Sequence, residues 1–474
     1  MKILYAASEA VPFCKTGGSL PPALAEQGAE TAVILPLYRR VREKFADQLT
    51  FLCYDYVDLA WRHTYCGLFS MKKDGVTWYF LDNEQYFDRP ELYGYVDDGE
   101  RFGFFSRAVV KMLDHLEYWP DVIHCNDWQT ALIPIYLKDD GVREDRYRSI
   151  RTVLTIHNIE YQGRYDPYCL GDLFGQDRGW VDDGTLLLDG DLNLLKGAIL
   201  TADAVNAVSP TYAQELKNPY FAHRMEGILT QCGYKLSGVL NGIDMKLYDP
   251  AADGRITANY TAEDLSGKAA DKTALQNLMG LNEEPNTPII AMVSRLVSHK
   301  GLDLLREVMG DIMELPAQFV VLGSGDAGYE EFFRRTAERY PGRMAVRLGY
   351  NEALSMAIYA GADLFLMPSR SEPCGLSQMI AMRYGAVPIV RQTGGLADTV
   401  RSCQMGQEDG NGFVFANYSA FDMQYVISQA VELYRSDLHG FRRVQRCGMT
   451  DDFSWNVSAG AYEALYENIT DTSR

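Results

Sequence analysis

Two cations follow one predicted strand in the second half of the chain. The apolar run PIIAMVS leads into Arg295, and Lys300 comes five residues later, directly before Gly301 and the helix-like segment LDLLREVM. Fixed guanidinium and ammonium groups can neutralise the negative charge that grows on a departing diphosphate. A random Arg and Lys are more often solvated surface charges, but the strand-end position in an acidic protein favours a diphosphate site here.

Two further loops contain glycines, and one of them also carries a carboxylate. The strand-like run DLFLMPS is followed by RSEPCG, which contains Glu372 and Gly375, and the run AVPIVRQ is followed by TGG with Gly394 and Gly395. The free N–H groups of the helix starts that follow these loops suit phosphate or ribose oxygens, and glycine allows the backbone to approach closely. Each loop alone is equally consistent with a simple tight turn.

Polar side chains also follow two predicted strands of the first half. Asp127 and Trp128 come after DVIHCN, while His157 and Asn158 come after RTVLTI. Such groups at strand ends can bind sugar hydroxyls, and an aromatic ring can cover the apolar face of a sugar. An isolated histidine is more commonly structural, but the context favours a binding role for His157.

A G-x-G-x-x-G pattern occurs at Gly323, Gly325 and Gly328. It could indicate a dinucleotide cofactor, but the carboxylate expected about 20 residues further on for the ribose is missing. We predict instead a loop that lies near a nucleotide.

Strand-like runs alternate with helical segments throughout, and the pattern restarts after residue 250. This alternation is typical of parallel α/β sheets, whose ligands bind at the carboxyl ends of the strands. A chain of 474 residues is also too long for one core. We predict an α/β fold with two doubly wound Rossmann-like domains, 1–245 and 246–452, joined near Leu240–Asp253.

Composition restricts the classes of partner. The chain has 45 Lys and Arg against 64 Asp and Glu, a formal net charge of −19, which disfavours nucleic acids and anionic membranes. Nine cysteines without a CxxC pair suggest neither a disulfide framework nor a zinc ribbon. No run has the length of a membrane span or a signal peptide, so we expect a cytoplasmic protein, monomeric or homo-oligomeric.

Eight motifs, in order and over nearly the whole chain, resemble those of bacterial glycogen synthases and plant starch synthases. They are EAVPFCKTGG, NDWQTAL, TIHNIEYQG, VSPTYAQEL, KLSGVLNGID, SRLVSHKG, PSRSEPCGLSQMIAMRYG and TGGLADTV. The resemblance implies a retaining transferase of the glycosyltransferase B type, with its two domains facing across a cleft and a C-terminal helix, 453–474, crossing back. It further implies transfer of glucose from ADP-glucose to the non-reducing 4-hydroxyl end of an α-1,4-glucan such as glycogen, with no cofactor and no metal.

The resemblance also implies roles for individual residues. Residues 1–245 would form the acceptor and catalytic domain, and 246–452 the domain that binds the nucleotide sugar. The donor phosphates would be held by Lys15, Gly18, Arg295 and Lys300. Tyr350 would stack on the adenine. The groups expected around the glucose are Asp127, His157, Asn241 and Glu372. Further substrate-binding residues are Asn158, Cys374, Gly375, Leu376, Thr393, Gly394 and Gly395.

Two departures from the family pattern are visible. Ile380 stands where many related transferases have a second carboxylate, which changes little because members of this branch often lack it. After Gly18 about six residues of the donor loop are missing, so the alternative is a catalytically impaired glucan-binding relative. Another alternative is a related transferase that uses a different nucleotide sugar, such as UDP-glucose. Tyr93 and Tyr95 are candidates for contact with the acceptor glucan.

Overall fold

The computed structural model describes residues 1–13, 20–116, 118–403 and 409–471. The chain forms two compact units, one of Met1–Gly242 with Trp455–Arg474 and the other of Ile243–Ser454. Each unit has its own sheet with buried apolar strands at the centre. The predicted α/β class with two doubly wound, Rossmann-like units is confirmed.

The first unit is built on a nine-stranded sheet within the described residues. The strands of this unit are β1 (Lys2–Ala6), β2 (Glu30–Pro36), β3 (Thr50–Leu59), β4 (Arg62–Lys73), β5 (Val76–Asp82), β6 (Val122–Asn126), β7 (Arg151–Ile156), β8 (Arg164–Tyr165), β9 (Leu187–Leu188), β10 (Asp191–Asn193), β11 (Ala204–Ala207) and β12 (Leu236–Gly238). The order in the large sheet is β12-β11-β7-β6-β1-β2-β5-β4-β3, and β8, β10 and β9 form a small separate sheet. All pairs in the large sheet are parallel except those made by β4. Four consecutive residues of β1 are buried, so this strand is covered on both faces.

Helices connect the strands of the first unit. They are α1 (Leu20–Glu26), α2 (Arg39–Phe45), α3 (Glu84–Phe87), α4 (Asp98–Met112), α5 (Leu132–Arg143), α6 (Cys169–Phe174), α7 (Gly179–Asp182), α8 (Leu194–Thr201), α9 (Pro210–Glu215) and α10 (Glu226–Gln231). The aromatic-rich segment 91–105 ends inside α4, where Phe102, Phe104 and Phe105 are almost fully buried. Its aromatic residues therefore contribute mainly to the core.

The second unit is built on a six-stranded parallel sheet within the described residues. Its strands are β13 (Ile289–Val293), β14 (Gln318–Gly323), β15 (Met344–Leu348), β16 (Leu364–Met367), β17 (Val387–Arg391) and β18 (Phe413–Phe415). Their order is β15-β14-β13-β16-β17-β18. The chain thus runs outward from β13 in one direction and from β16 in the other.

Eight helices accompany this sheet in the described residues. They are α11 (Ser266–Met279), α12 (Leu302–Glu314), α13 (Ala327–Arg339), α14 (Glu352–Gly361), α15 (Ser377–Arg383), α16 (Gly394–Thr399), α17 (Ala420–Ser436) and α18 (Leu438–Thr450). In α12 the buried residues Leu302, Leu305, Met309 and Ile312 recur at helical spacing. One face of this helix therefore packs into the core of the second unit.

The last helix, α19 (Trp455–Asp471), belongs to the first unit. Its Tyr466 hydroxyl lies 2.7 Å from Nδ1 of His124, and its Tyr462 hydroxyl accepts a 2.9 Å hydrogen bond from Asn206. Burial lowers the pKa of His124 to about 3, so its imidazole is neutral at pH 7. Two tyrosine hydroxyls therefore attach α19 to strands β6 and β11.

A buried lysine joins three helices of the second unit. Nζ of Lys268, in α11, donates to the carbonyl of Ala360 at 2.7 Å and to that of Tyr384 at 2.8 Å. These carbonyls lie at the C-terminal ends of α14 and α15, where a cation is favourable. Burial nevertheless lowers the pKa of Lys268 from its ordinary 10.5 to about 8.

This lowered pKa predicts a pH-dependent stability difference between the protein and its Lys268→Met variant. Between about pH 8 and 10.5 the unfolded chain keeps a proton that the folded chain has released, so stability relative to the variant rises with pH. The full rise is about 3 kcal/mol. Urea unfolding of both proteins from pH 7 to 10 measures it, and a difference that stays constant over this range would contradict the prediction.

Candidate active site

The strand order of the second unit predicts a ligand-binding crevice at the centre of its sheet. Strand β13 lies between β14 and β16, and the chain leaves β13 and β16 in opposite directions. In open parallel sheets the loops that follow two such strands diverge and leave room for a ligand. Here those loops contain Arg295 and Lys300 after β13, and Glu372 after β16.

Lys300 and Glu372 form a largely buried ion pair at this position. Nζ of Lys300 lies 2.9 Å from Oε1 and 2.7 Å from Oε2 of Glu372, and the hydroxyl of Ser369 donates to Oε2 at 2.8 Å. Burial by itself raises the pKa of Glu372, but Lys300, Ser369 and the charge of His299 outweigh it and hold the pKa below its ordinary value. Glu372 is therefore ionised at neutral pH.

Arg295 has a different environment. It is exposed in the segment after β13, and no residue in the described part of the chain hydrogen-bonds or ion-pairs with its guanidinium. Its neighbour Leu296 is bridged to Gly325 in the loop after β14. The backbone around Arg295 is thus fixed while its side chain is available to an anion.

The glycine pattern at 323–328 has a structural explanation. A Cβ on Gly323 would overlap the carbonyl of Ser294, and one on Gly325 would overlap that of Leu296. Leu296 also donates its N–H to Ser324 at 2.8 Å and accepts one from Asp326 at 2.8 Å. These glycines let the loop after β14 pack directly on the loop that carries Arg295.

Glycines bring the other loops of this crevice equally close together. A Cβ on Gly394 would overlap the carbonyl of Glu372, and one on Gly395 would overlap that of Cys374. Gly394 also has a φ of +45°. Its neighbour Gly395 donates its N–H to the Glu372 carbonyl at 3.1 Å. The start of α16 is therefore bonded to the loop that bears the Glu372 carboxylate.

Two residues that hold this loop were not identified from the sequence. Nε of Arg391, at the end of β17, donates to the carbonyl of Ser369 at 2.9 Å, and its Nη2 donates to that of Arg370 at 2.5 Å. Ser369 itself holds Glu372. A signal for Arg391 was present, because a charged residue ending a buried strand, as in VPIVR, needs a specific partner.

The remaining predicted residues of the second unit follow strands β15, β16 and β17. Cys374 and Thr393 are buried, while Leu376 is exposed. Gly375 has a φ of +71°, and its carbonyl accepts a 3.0 Å hydrogen bond from Gln378. Tyr350 follows β15 and is 70% exposed.

In the first unit, Asp127 follows β6 in an unusual backbone conformation. Its φ of +54° and ψ of −170° are normally restricted to glycine, which indicates strain at this position. Its Oδ1 accepts a 2.8 Å hydrogen bond from the N–H of His157. Burial raises the pKa of Asp127, and His157 and the N–H groups of His157 and Asn158 offset this only in part. The carboxylate thus binds the loop after β7.

His157 and Asn158 lie in that loop, each partly exposed. Nε2 of His157 is 2.9 Å from Oδ1 of Asn126, a residue that sequence reasoning missed. Oδ1 of Asn158 accepts the N–H of Glu160 at 3.0 Å. Asn241 lies beyond β12 at the edge of the sheet. The structure therefore brings Asp127, His157 and Asn158 together and places Asn241 in a separate segment of the same unit.

The two tyrosines proposed to contact a glucan differ. The ring of Tyr95 lies 4.7 Å from the Arg89 guanidinium and 4.9 Å from that of Arg101, so Tyr95 serves packing. Tyr93 instead places its hydroxyl 2.8 Å from the Ser8 hydroxyl beyond β1. Only Tyr93 thus lies at a strand end where ligands bind.

Some expectations fall on parts of the chain that are not described. Lys15, Gly18 and the shortened loop after Gly18 lie outside the described residues. Within the described ranges, no group of three or more His, Cys, Asp or Glu side chains could hold a metal ion. No helix there is apolar over a length sufficient to cross a bilayer.

Two family models match the chain, one within each unit. Residues 2–231 match the starch synthase catalytic domain, and residues 278–439 match the glycosyl transferases group 1. The sequence is 44% identical to the glycogen synthase of Lactobacillus acidophilus and 44% identical to that of Bacillus anthracis. Both alignments span 475 positions, covering 99% of this chain and all of the relative.

Solved structures agree with this result. The catalytic domain of starch synthase IV from Arabidopsis thaliana, solved with ADP and acarbose bound, superposes with a TM-score of 0.89 at 33% identity, with 99% of each chain covered. Sucrose-phosphate synthase from Thermosynechococcus elongatus shares the fold, with a TM-score of 0.59 at 18% identity. The sequence motifs, the two Rossmann-like units and these full-length relatives together show that the chain is a glycosyltransferase that belongs to the glycogen and starch synthase family.

Proposed function

We propose that this glycosyltransferase transfers glucose from ADP-glucose to the non-reducing 4-hydroxyl end of an α-1,4-glucan, with retention of configuration. The observation that carries the proposal is the Lys300–Glu372 pair, held by glycine-packed loops at the centre of the second sheet. The starch synthase IV structure, which contains ADP and acarbose, supports a nucleoside diphosphate and a glucan-like ligand for this chain too.

The second unit is the proposed binding site for the nucleotide sugar. An ammonium group has three N–H donors, and Lys300 uses two of them on the Glu372 carboxylate. The third donor is then available to the diphosphate, as is the guanidinium of Arg295, which has no hydrogen-bond or ion-pair partner among the described residues. These charges stabilise the leaving group as the bond to the sugar breaks.

Glu372 has the complementary role. Its pKa is lowered, so the carboxylate is negative at pH 7 and can stabilise positive charge that develops on the sugar ring. In the retaining step the anomeric C–O bond to the diphosphate breaks and the acceptor 4-oxygen bonds to the same carbon on the same face. The proton of the acceptor hydroxyl passes to the departing phosphate oxygen. A trapped covalent glucosyl-enzyme would contradict this step.

The first unit is the proposed site for sugar hydroxyls. His157 and Asn158 present polar groups after β7, and Asp127 holds their backbone in place. Tyr93 adds a hydroxyl beyond β1. The charge of −19 suits a neutral polymer better than an anionic one. We propose the cytoplasm as the location, as expected from the composition.

A release assay tests the proposal. The full chain, incubated with ADP-glucose and glycogen, is expected to release ADP in proportion to the glucose that is added to the glucan. UDP-glucose is expected to react more slowly at equal concentration. Binding of glycogen without release of ADP would overturn the proposal, and faster reaction with UDP-glucose would overturn the choice of donor.

Tyr350→Ala tests the proposed stacking of the adenine. Removing an aromatic ring that stacks on a base weakens binding by about 1–3 kcal/mol, so KM for ADP-glucose should rise about tenfold while kcat changes little. Because Tyr350 is 70% exposed, the melting temperature should stay the same. Tyr234→Ala, at an 86% exposed tyrosine of the first unit, is the control and should leave KM unchanged. Equal KM values for the two variants would exclude Tyr350 from the donor site.

A further inference from the structure

His157 uses only one of its ring nitrogens within the described residues. Nε2 lies 2.9 Å from Oδ1 of Asn126, whereas Nδ1 has no hydrogen-bond partner there. The imidazole is partly exposed in the loop after β7. One side of the ring thus faces the protein, and the other is available to a ligand.

The orientation of the Asn126 amide is determined by its surroundings. Its Nδ2 lies 3.0 Å from the carbonyl oxygen of Ala6 and 3.3 Å from that of His124. Carbonyl oxygens only accept hydrogen bonds, so the NH2 group must be on this side. Oδ1 therefore faces His157 and the Tyr5 hydroxyl, which donates to it at 2.8 Å. Asn126 is only 6% exposed, and a flipped amide would place its oxygen against two carbonyls.

An amide oxygen is only an acceptor, so Nε2 of His157 must carry a hydrogen. A neutral imidazole has a single N–H, which leaves a lone pair on Nδ1. We propose that Asn126 is a positioning residue that fixes His157 as its Nε2–H tautomer, so that Nδ1 accepts a hydrogen bond from a substrate hydroxyl. This inference rests on the proposed function, because that function supplies the hydroxyl.

The Nε2–H tautomer of His157 also determines which ligand groups the ring accepts. A lone pair on Nδ1 attracts a group that can donate, such as a sugar hydroxyl, and disfavours groups that only accept, such as carboxylate or phosphate oxygens. Asp127 supports the same arrangement, because its carboxylate holds the backbone N–H of His157 at 2.8 Å. Asn126 and Asp127, adjacent in the chain, thus control the ring and the backbone of the same histidine.

The tautomer can be measured directly by NMR on the full chain labelled with ¹⁵N-histidine, at about pH 8.5. His157→Gln identifies which of the seven histidines gives the signal. Long-range ¹H–¹⁵N spectra should show Nε2 of His157 protonated and Nδ1 unprotonated. A protonated Nδ1, or an equal mixture of tautomers, would overturn the proposal. Absence of ADP release by the same unaltered protein would instead overturn the proposed function, while the spectrum would still show the tautomer.

Two variants separate positioning from a merely structural role. Asn126→Ala and Asn126→Asp both remove the NH2 group from the Ala6 and His124 carbonyls, but only Asn126→Asp keeps an acceptor for Nε2–H. We expect Asn126→Ala to give mixed tautomers and to lower kcat/KM about tenfold. We expect Asn126→Asp to keep the Nε2–H tautomer and to restore most of the lost kcat/KM. Equal tautomers and equal kcat/KM values in both variants would overturn the proposal. Tyr5→Phe keeps the amide oxygen in place and should leave the tautomer unchanged.

Discussion

Lys300→Met is expected to lower kcat/KM for ADP-glucose by about 10²–10³-fold, because it removes a fixed positive charge from the site where the diphosphate leaves. It also leaves the Glu372 carboxylate, which is only 8% exposed, without its ion-pair partner. Breaking a buried pair in this way destabilises a protein by about 3–5 kcal/mol. Steady-state kinetics on protein shown to be folded by circular dichroism measures the first effect, and urea unfolding measures the second.

The chain offers a matched control for this change. Lys272 and Asp363 form another buried ion pair in the same unit, at 2.8 Å, and Lys272 also donates to the hydroxyl of Tyr434. Lys272→Met should destabilise the second unit by a similar amount but leave kcat/KM per folded molecule within about threefold of the original. If both variants lost the same activity, the effect of Lys300 would be one of stability and not of charge at the reacting bond.

Gly395→Ala is expected to have the second largest effect. A Cβ at this position would overlap the carbonyl of Cys374 at a distance that real atoms do not adopt, so the loop bearing Glu372 must move away from α16. A displacement of about 1 Å at a reacting group can lower the rate about a hundredfold. We expect that loss in kcat together with a lower melting temperature.

Gly310→Ala is the control for this prediction. Gly310 also lies in a helix, α12, but nothing lies within 4 Å of a Cβ built there. Alanine in a helix interior is favoured over glycine by about 1 kcal/mol, so this variant should be as active as the original and slightly more stable. Full activity of Gly395→Ala would show that the close approach of the two loops is not needed for catalysis.

The sheets and the charged strand ends were predictable from the sequence for a physical reason. Buried parallel strands are continuous apolar runs, so PIIAMVS and DLFLMPS identify β13 and β16 and mark where each ends. The carboxyl ends of neighbouring parallel strands lie on one edge of the sheet. The proximity of Lys300 and Glu372, 72 positions apart in sequence, follows from that rule once β13 and β16 are neighbours.

The supporting contacts were not predictable in the same way. Asn126 and Arg391 act through hydrogen bonds to residues far apart in the sequence or to backbone carbonyls. Their side chains have no periodic pattern, and their partners become apparent only when the register of the strands is known. The orientation of a single amide, as at Asn126, depends on four neighbours from β1, β6 and the loop after β7.

Glycine spacing and aromatic content were ambiguous for a related reason. The pattern at 323–328 is also found where a dinucleotide binds, but here Gly323 and Gly325 allow contact between two loops. Tyr93 and Tyr95 are two residues apart, yet Tyr95 stacks on arginines and Tyr93 reaches the end of β1. In both cases the same residue types serve packing or binding, and only their neighbours distinguish the two roles.

The central claim is that the strand ends of the second unit capture a diphosphate by charge. Calorimetric titration of Arg295→Ala with ADP and with adenosine tests it most directly, because no described residue depends on Arg295 for an ion pair. The claim predicts that the Kd for ADP rises about tenfold or more while the Kd for adenosine stays the same, and that Arg435→Ala, at an exposed arginine of α17, changes neither. An unchanged Kd for ADP in Arg295→Ala would contradict it.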